Sequence, residues 1–166
     1  DLPVIVAYAD HNEVSMQRAA LVALRHFGDR RAIDTLMKYV RKNAEPLAST
    51  AIESLAASRF ADAQQALLEV LQNEGPDSKK AIVKVLARYP RPMWEDAIYE
   101  VANDPRSEVA AEALAALMRI GHPNLLDVFR RDLEQGDDEL QEAAFNLLVQ
   151  QTDPQSEALA MTYVLE

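Results

Sequence analysis

The chain has 166 residues, of which 49% are apolar and 27% are charged, a balance typical of a globular domain rather than a disordered segment. It contains no cysteine, which excludes a disulfide scaffold, a zinc site of the thiolate type and thiol catalysis, and leaves both cytoplasm and periplasm open as compartments. No apolar run approaches the roughly 20 residues that a membrane span needs, so we expect no membrane partner.

One side chain returns at a fixed interval along the whole chain. Leu24, Leu55, Leu86, Leu117 and Leu148 are each separated by 31 residues. We call the positions related by this interval a column. A second apolar column accompanies the first and consists of Ala20, Ala51, Ile82, Ala113 and Ala144. Self-similarity with such a period predicts stacked repeats, in which each unit buries its apolar face against its neighbours.

Each repeat divides into two patterns of helical spacing, an A helix and a B helix. From the N-terminus, the A helices are predicted at 2–9, 30–42, 61–73, 92–103, 123–135 and 154–165. The B helices are predicted at 13–27, 46–58, 77–89, 107–120 and 138–151. Because the connections are short, consecutive helices should be antiparallel. The prediction is therefore an all-α fold, an α-solenoid or superhelix of two-helix repeats, with about five repeats and partial ends.

The organisation of the chain follows from the same pattern. We expect residues 1–166 to form a single repeat domain. Terminal repeats normally carry a polar outer face, but Ile5 and Val6 near one end and Met161 and Val164 near the other are apolar. We therefore expect this domain to be a fragment of a longer chain.

Four positions mark the predicted helix ends. Gly28 and Gly121 share a column just after a B helix, where a left-handed residue commonly ends a helix and glycine adopts that conformation easily. Asp104 and Asp153 each precede a proline. This pairing is typical of an N-cap followed by a proline in the first turn.

The repeat resembles a known family. The stretch from Arg18 to Leu36 reads RAALVALRHFGDRRAIDTL, and Asp104-Pro105 is followed by Val109. Both are similar to the HEAT-like repeats of the phycobilisome-lyase type. The resemblance implies the α-solenoid fold, and the family includes pigment lyase subunits, adaptor and assembly factors, a DNA glycosylase branch and modules appended to M1 aminopeptidases. The fold alone does not choose among these functions.

Charge is distributed unevenly, and this restricts the partners. Residues 1–42 carry seven basic and five acidic residues, a net charge of +2, whereas residues 84–166 carry seven and sixteen, a net charge of −9. An acidic surface repels a phosphate backbone, so we expect no nucleic acid partner. A graded charge along the molecule can orient an approaching protein.

The resemblance implies that the B helices line a concave face. Their outward positions give the candidate partner-binding residues Arg18, Val22, Arg25, Lys80, Lys84, Arg88, Met118 and Arg119. Basic residues on an acidic protein could bind an acidic peptide, since arginine makes two-point contacts with carboxylates. The other interpretation, a solvated charged surface balanced by Glu53, Glu112 and Glu142, is the more common one for isolated surface charges.

No residue cluster in the sequence indicates catalysis, a metal site or a cofactor. His11, His26 and His122 lie in separate repeats without a second ligand at metal-binding spacing. The acidic run 137–139 lacks the pattern of a calcium loop, and we expect it to cap the next helix. Trp94, whose column mates include Ala32 and Ala63, is predicted to pack in the core.

Two functions remain as hypotheses from the sequence. The first is a non-catalytic scaffold that binds a protein or peptide segment on the B helices. The alternative is an accessory module of a larger enzyme, such as the C-terminal HEAT-like domain of an M1-type metallopeptidase. Lesion recognition as in the glycosylase branch requires a strongly basic cleft, and the net charge of −9 over residues 84–166 argues against it.

Overall fold

The computed structural model describes residues 1–89 and 91–165, and this part of the chain contains eleven α-helices and no strand. The A helices are α1 (Leu2–Ala9), α3 (Arg30–Lys42), α5 (Ala61–Asn73), α7 (Pro92–Val101), α9 (Leu125–Gln135) and α11 (Pro154–Leu165). The B helices are α2 (Val14–Leu24), α4 (Leu47–Ala57), α6 (Pro76–Leu86), α8 (Ser107–Ile120) and α10 (Asp138–Leu148). The predicted class, an all-α solenoid of two-helix repeats, is confirmed.

The B helices α2, α6 and α10 end earlier than predicted, at the same place in each repeat. After α6, the amides of Arg88 and Tyr89 donate to the carbonyls three residues back, those of Val85 and Leu86. After α2, the amide of Phe27 likewise donates to Leu24. The chain tightens into a narrower turn because bonds of this type satisfy the last carbonyls of a helix. Side-chain periodicity does not distinguish such a turn from one more turn of α-helix.

The chain divides by its contacts into two compact units, each described by itself. Unit 1 is Asp1–Tyr89 and contains α1 to α6. Its B helices pack side by side, α2 against α4 and α4 against α6, and its A helices pack as α1, α3 and α5. Leu24, Leu55 and Leu86 are at most 1% exposed between these layers. The leucine column is therefore the core of unit 1.

Unit 2 contains α7 to α11 and begins, in the described residues, at 91. Helix α8 packs against α7, α9 and α10, and α11 packs against α9 and α10. Leu117 and Leu148 continue the leucine column at 0% and 1% exposure. Trp94 and Phe129 are fully buried, so the predicted packing role of Trp94 is confirmed.

The two glycines of one column have different roles. Gly121 is left-handed, with φ of 69°, as predicted for the end of α8. Gly28 is not left-handed, and that prediction is wrong. A Cβ atom at Gly28 would lie 2.5 Å from Cδ1 of Phe60, so glycine is required there by the close approach of an aromatic ring.

The two aspartates before prolines also differ. Asp153 caps α11, since its Oδ1 accepts hydrogen bonds from the amides of Gln155 and Ser156. The prediction for Asp104 is wrong, because α8 begins only at Ser107. The Oδ1 atom of Asp104 instead accepts from the amide of Arg106 at 3.0 Å and from its Nε at 2.7 Å, which fixes the turn before the helix.

Candidate functional site

The outward side of the B helices in unit 1 carries five cations. We call this set the basic face: Arg18, Arg25, Lys80, Lys84 and Arg88. Lys80, Lys84 and Arg88 are four residues apart, which places them on one side of α6, or of the turn that extends it. All five are exposed except Lys80, which is half-buried.

Helix α4 lies between the two basic helices and contributes different side chains. Ser49 lies in the same column as Arg18 and Lys80, and Glu53 lies in the same column as Val22 and Lys84. Both side chains are half-buried. The basic face is therefore interrupted by a polar and acidic strip.

A groove of about 390 Å³ runs between α4 and α6. It is lined by Asn43, Glu45, Ser49, Asp77, Lys80, Ala81, Lys84, Val85 and Arg88. The Nη2 atom of Arg88 lies 3.2 Å from Oε1 of Glu53, and Nζ of Lys80 lies 3.6 Å from Oδ1 of Asp77. These pairs show that the cations of the groove already interact with carboxylates.

The ion pairs of this groove are accessible and therefore exchangeable. The side chain of Arg88 is 56% exposed and that of Glu53 is 36% exposed. Pairs of this kind contribute about 0 to 1 kcal/mol, because water screens the charges and two long side chains lose freedom. A carboxylate from another molecule can thus replace Glu53 at Arg88 at little cost.

Helix α2 forms a second, more apolar groove with the start of α4. It is lined by Val14, Ser15, Arg18, Ala19, Val22 and Pro46 and has a volume of about 680 Å³. Val14 is 50% exposed and Val22 is 38% exposed, with Arg18 between them on the same side of the helix. The sequence had identified Arg18 and Val22, but Pro46 enters only through the packing of α2 on α4.

The candidates Met118 and Arg119 belong to α8 in unit 2. Arg119 is exposed, but Met118 is only half-exposed. The column of Met118 and Arg25 also contains Ala56 and Ala87, which are 0% and 7% exposed. This column faces neighbouring helices in the inner repeats, and Met118 is accordingly less exposed than Arg119.

Sequence reasoning missed a buried carboxyl group in unit 2. Asp132 is 2% exposed, and its Oδ1 accepts from Nε and Nη2 of Arg131 at 2.8 and 2.6 Å. Burial raises the pKa of the Asp132 carboxyl, and the hydrogen bonds from Arg131 oppose this. Its column mates Val70 and Val101 are buried, which is the signal that could have identified it.

The Arg131 side chain joins two A helices. Its Nη2 donates to the carbonyl of Ala102, just after α7, at 2.8 Å, and its Nη1 donates to Oδ1 of Asn103. A guanidinium group has enough donors to serve all these acceptors at once. The Arg131 side chain therefore links α9 to the end of α7, and the buried Arg131–Asp132 pair offers no open surface for a ligand.

The described residues contain no group of three histidine, aspartate or glutamate side chains placed to bind a metal ion. The ring of His122 stacks on Tyr99 with centroids 5.0 Å apart. Asp137, in the acidic run, caps α10 by accepting from the amide of Leu140, as predicted. In the part of the chain that the structure describes, no helix is long and apolar enough to cross a bilayer.

The fold defines a stacked two-helix repeat protein. The family model of HEAT repeats matches residues 2–78 and 65–149. The chain therefore belongs to the HEAT repeat family, and the predicted resemblance is confirmed.

A solved structure, the first of the two that follow, shows the same fold at low sequence identity. The complex of CpcE and CpcF of phycocyanin lyase from Nostoc sp. PCC7120 is 19% identical, with 96% of this chain and 68% of that chain covered and a TM-score of 0.51. The archaeal HEAT-like repeats protein from Thermococcus onnurineus NA1 is 13% identical, with 98% and 87% covered and a TM-score of 0.42. The comparison with curated proteins found no match.

Proposed function

We propose that this protein is a non-catalytic interaction scaffold that binds an acidic protein segment on the B helices of unit 1. HEAT repeats are a fold typical of protein-interaction modules, and the proposal adds the surface and the partner. The observation that carries it is the α4–α6 groove, in which Lys80, Lys84 and Arg88 line one side on a chain of net charge −10.

The chemistry of the basic face fits carboxylates. The Arg88 guanidinium can form a two-point contact with a carboxylate, whereas Lys80 and Lys84 act as compact charges. The apolar groove beside Arg18 offers Val14 and Val22 to an apolar side chain of the same segment. On unit 2, we propose that Arg119 makes a further contact with a carboxylate and Met118 a further contact with an apolar side chain.

The competing interpretation, a solvated charged surface, is tested by affinity capture with three forms of the chain. The test variant is Lys80→Glu/Lys84→Glu/Arg88→Glu. The matched control is Arg30→Glu/Arg41→Glu/Lys42→Glu, which makes the same charge change on the exposed surface of α3. Circular dichroism checks that all three forms are folded.

The proposal predicts a partner that is retained by the wild type and the control and lost by the test variant, as read by mass spectrometry. Equal capture by all three forms would overturn it. Loss by both variants would show only a general effect of net charge, and would also contradict a specific face.

The second candidate, an accessory module of a larger enzyme, is favoured by exposed apolar side chains on α11. Met161, Val164 and Leu165 are 63%, 66% and 80% exposed. Such a stripe is typical of a surface covered by another domain. Met161→Glu/Val164→Glu would disrupt that contact and leave partner capture by unit 1 unchanged, which separates the two candidates.

A further inference from the structure

The α4–α6 groove has two walls of opposite charge. The wall on the α6 side carries the cations Lys80, Lys84 and Arg88. The wall on the α4 side carries Glu45, Ser49 and, in contact with Arg88, Glu53. Asp77 lies at the start of α6. Asp77 pairs with Lys80, and the α6 wall remains positive because it has three cations against this one carboxylate. A ligand in this groove therefore meets net positive charge on one side and negative charge on the other.

The spacing of the cations matches an extended chain. Four residues of an α-helix advance about 6 Å, so the three cations are separated by about 6 Å along α6. In an extended segment, side chains on the same side are two residues apart and lie about 6.6 Å from each other. The difference of under about 1 Å is small beside the reach of lysine and arginine side chains.

The alternation of an extended chain matches the two walls. Successive side chains of an extended segment point to opposite sides, so every second residue faces α6 and the others face α4. A helical ligand is about 10 to 12 Å wide and would bring the same acidic residues near Glu45 and Glu53. An extended chain keeps its acidic residues against α6 alone.

We propose that the α4–α6 groove binds an extended segment in which acidic residues alternate with basic or neutral ones. The acidic side chains face Lys80, Lys84 and Arg88, and the intervening side chains face Glu45 and Glu53. This inference rests on the proposed function, because it specifies the acidic segment that the basic face binds. It makes the order of charges in the partner, rather than their sum, the determinant of recognition.

The test uses fluorescence anisotropy with labelled peptides at physiological salt. One octapeptide alternates glutamate and lysine, and its control has the same composition with all glutamates before all lysines. Both have zero net charge, so long-range attraction does not distinguish them. The alternating peptide is expected to bind about tenfold more tightly than the block peptide.

A wall exchange separates recognition from damage to the fold. The variant Lys80→Glu/Lys84→Glu/Arg88→Glu should lose the alternating peptide. Adding Glu45→Lys/Glu53→Lys to that variant exchanges the two walls. Because an alternating peptide fits the exchanged groove after a shift of one residue, its binding should return.

Three outcomes would overturn the inference. Equal binding of both peptides, tighter binding of a peptide with glutamates four residues apart in helical register, or no binding of any peptide would each contradict an extended alternating ligand. The proposed function is judged separately, because partner capture that depends on Lys80, Lys84 and Arg88 would still support an acidic partner of another shape.

Discussion

Units 1 and 2 each have a core built on the same leucine column, but they differ in net charge. Residues 1–89 carry twelve basic and eleven acidic residues, a net charge of +1, whereas residues 90–166 carry five and sixteen, a net charge of −11. The leucine column is buried in both units. The comparison shows that the repeat pattern determines the fold in each unit, whereas the outward positions, which the pattern leaves free, determine what each unit can bind.

The largest expected effect tests the leucine column, which is buried in each unit. Leu86→Ala in unit 1 and Leu117→Ala in unit 2 should each lower the free energy of unfolding by about 2 to 5 kcal/mol, because both side chains are at most 1% exposed. Urea denaturation measures this. A loss under about 1 kcal/mol at either position would contradict a core role of the leucine column in that unit.

Gly28→Ala is expected to destabilise unit 1 by about 1 to 3 kcal/mol, because the new Cβ would collide with the Phe60 ring at 2.5 Å. In unit 2, Gly121→Ala should cost about 1 to 2 kcal/mol because its φ is 69°. Gly75→Ala is the comparison, since a Cβ there meets no atom within 4 Å and φ is −69°. It should cost under about 1 kcal/mol, because alanine is only a poorer N-cap of α6 than glycine. Thermal unfolding of the three variants separates the collision with Phe60 from the strain of a positive φ. Adding Phe60→Leu should relieve the loss of stability caused by Gly28→Ala but not the loss caused by Gly121→Ala.

Two carboxyl groups, one in each unit, are expected to contribute to the pH dependence of stability with opposite signs. In unit 1, the hydrogen bond from Lys38 lowers the pKa of the Asp10 carboxyl. Such a group stabilises the fold above its unfolded pKa and loses that contribution as pH falls through its folded pKa. In unit 2, the raised pKa of Asp132 acts in the opposite sense, since its contribution is present at low pH and is lost as pH rises through the folded pKa.

This difference is measured by urea unfolding of Asp10→Asn and Asp132→Asn against the wild type between pH 3 and pH 7. The advantage of the wild type over Asp10→Asn should grow as pH rises. Relative to Asp132→Asn, the wild type should become less stable over the same range. If both stability differences changed with pH in the same direction, the opposite pKa shifts of Asp10 and Asp132 would be contradicted.

The smallest expected effect concerns the groove. Glu53→Gln removes the carboxylate that contacts Arg88 at 3.2 Å. Affinity for an acidic segment whose intervening residues are neutral should therefore increase by up to about fivefold, the equivalent of one surface ion pair. The matched control is Glu69→Gln on α5 in the same unit, which should leave affinity unchanged. Weaker binding by Glu53→Gln would show that Glu53 positions Arg88 rather than competing for it.

The period of the sequence predicted the fold well, because burial repeats with the column. Five of the eleven helices, among them α3 and α8, have the predicted bounds. Residues of one column differ in role where the position has different neighbours in different repeats. Gly28 and Gly121 share a column, yet glycine is needed at 28 because the Phe60 ring lies close and at 121 because φ is positive.

The candidate site was predicted only in part. The cations of α6 could be read from helical spacing, since positions four residues apart share a side. Glu53 could be read in the same way, since it shares a column with Val22 and Lys84. Glu45 could not, because it reaches the groove from the connection before α4. Met118 and Asp132 show the same limit, since their burial depends on contacts between helices.

The central claim, that binding resides on the B helices of unit 1, is tested most directly by hydrogen exchange of the chain alone and with the captured partner. Slower exchange is expected in α4 and α6, with exchange in α10 unchanged. Protection confined to unit 2, or none in α4 and α6, would contradict the claim.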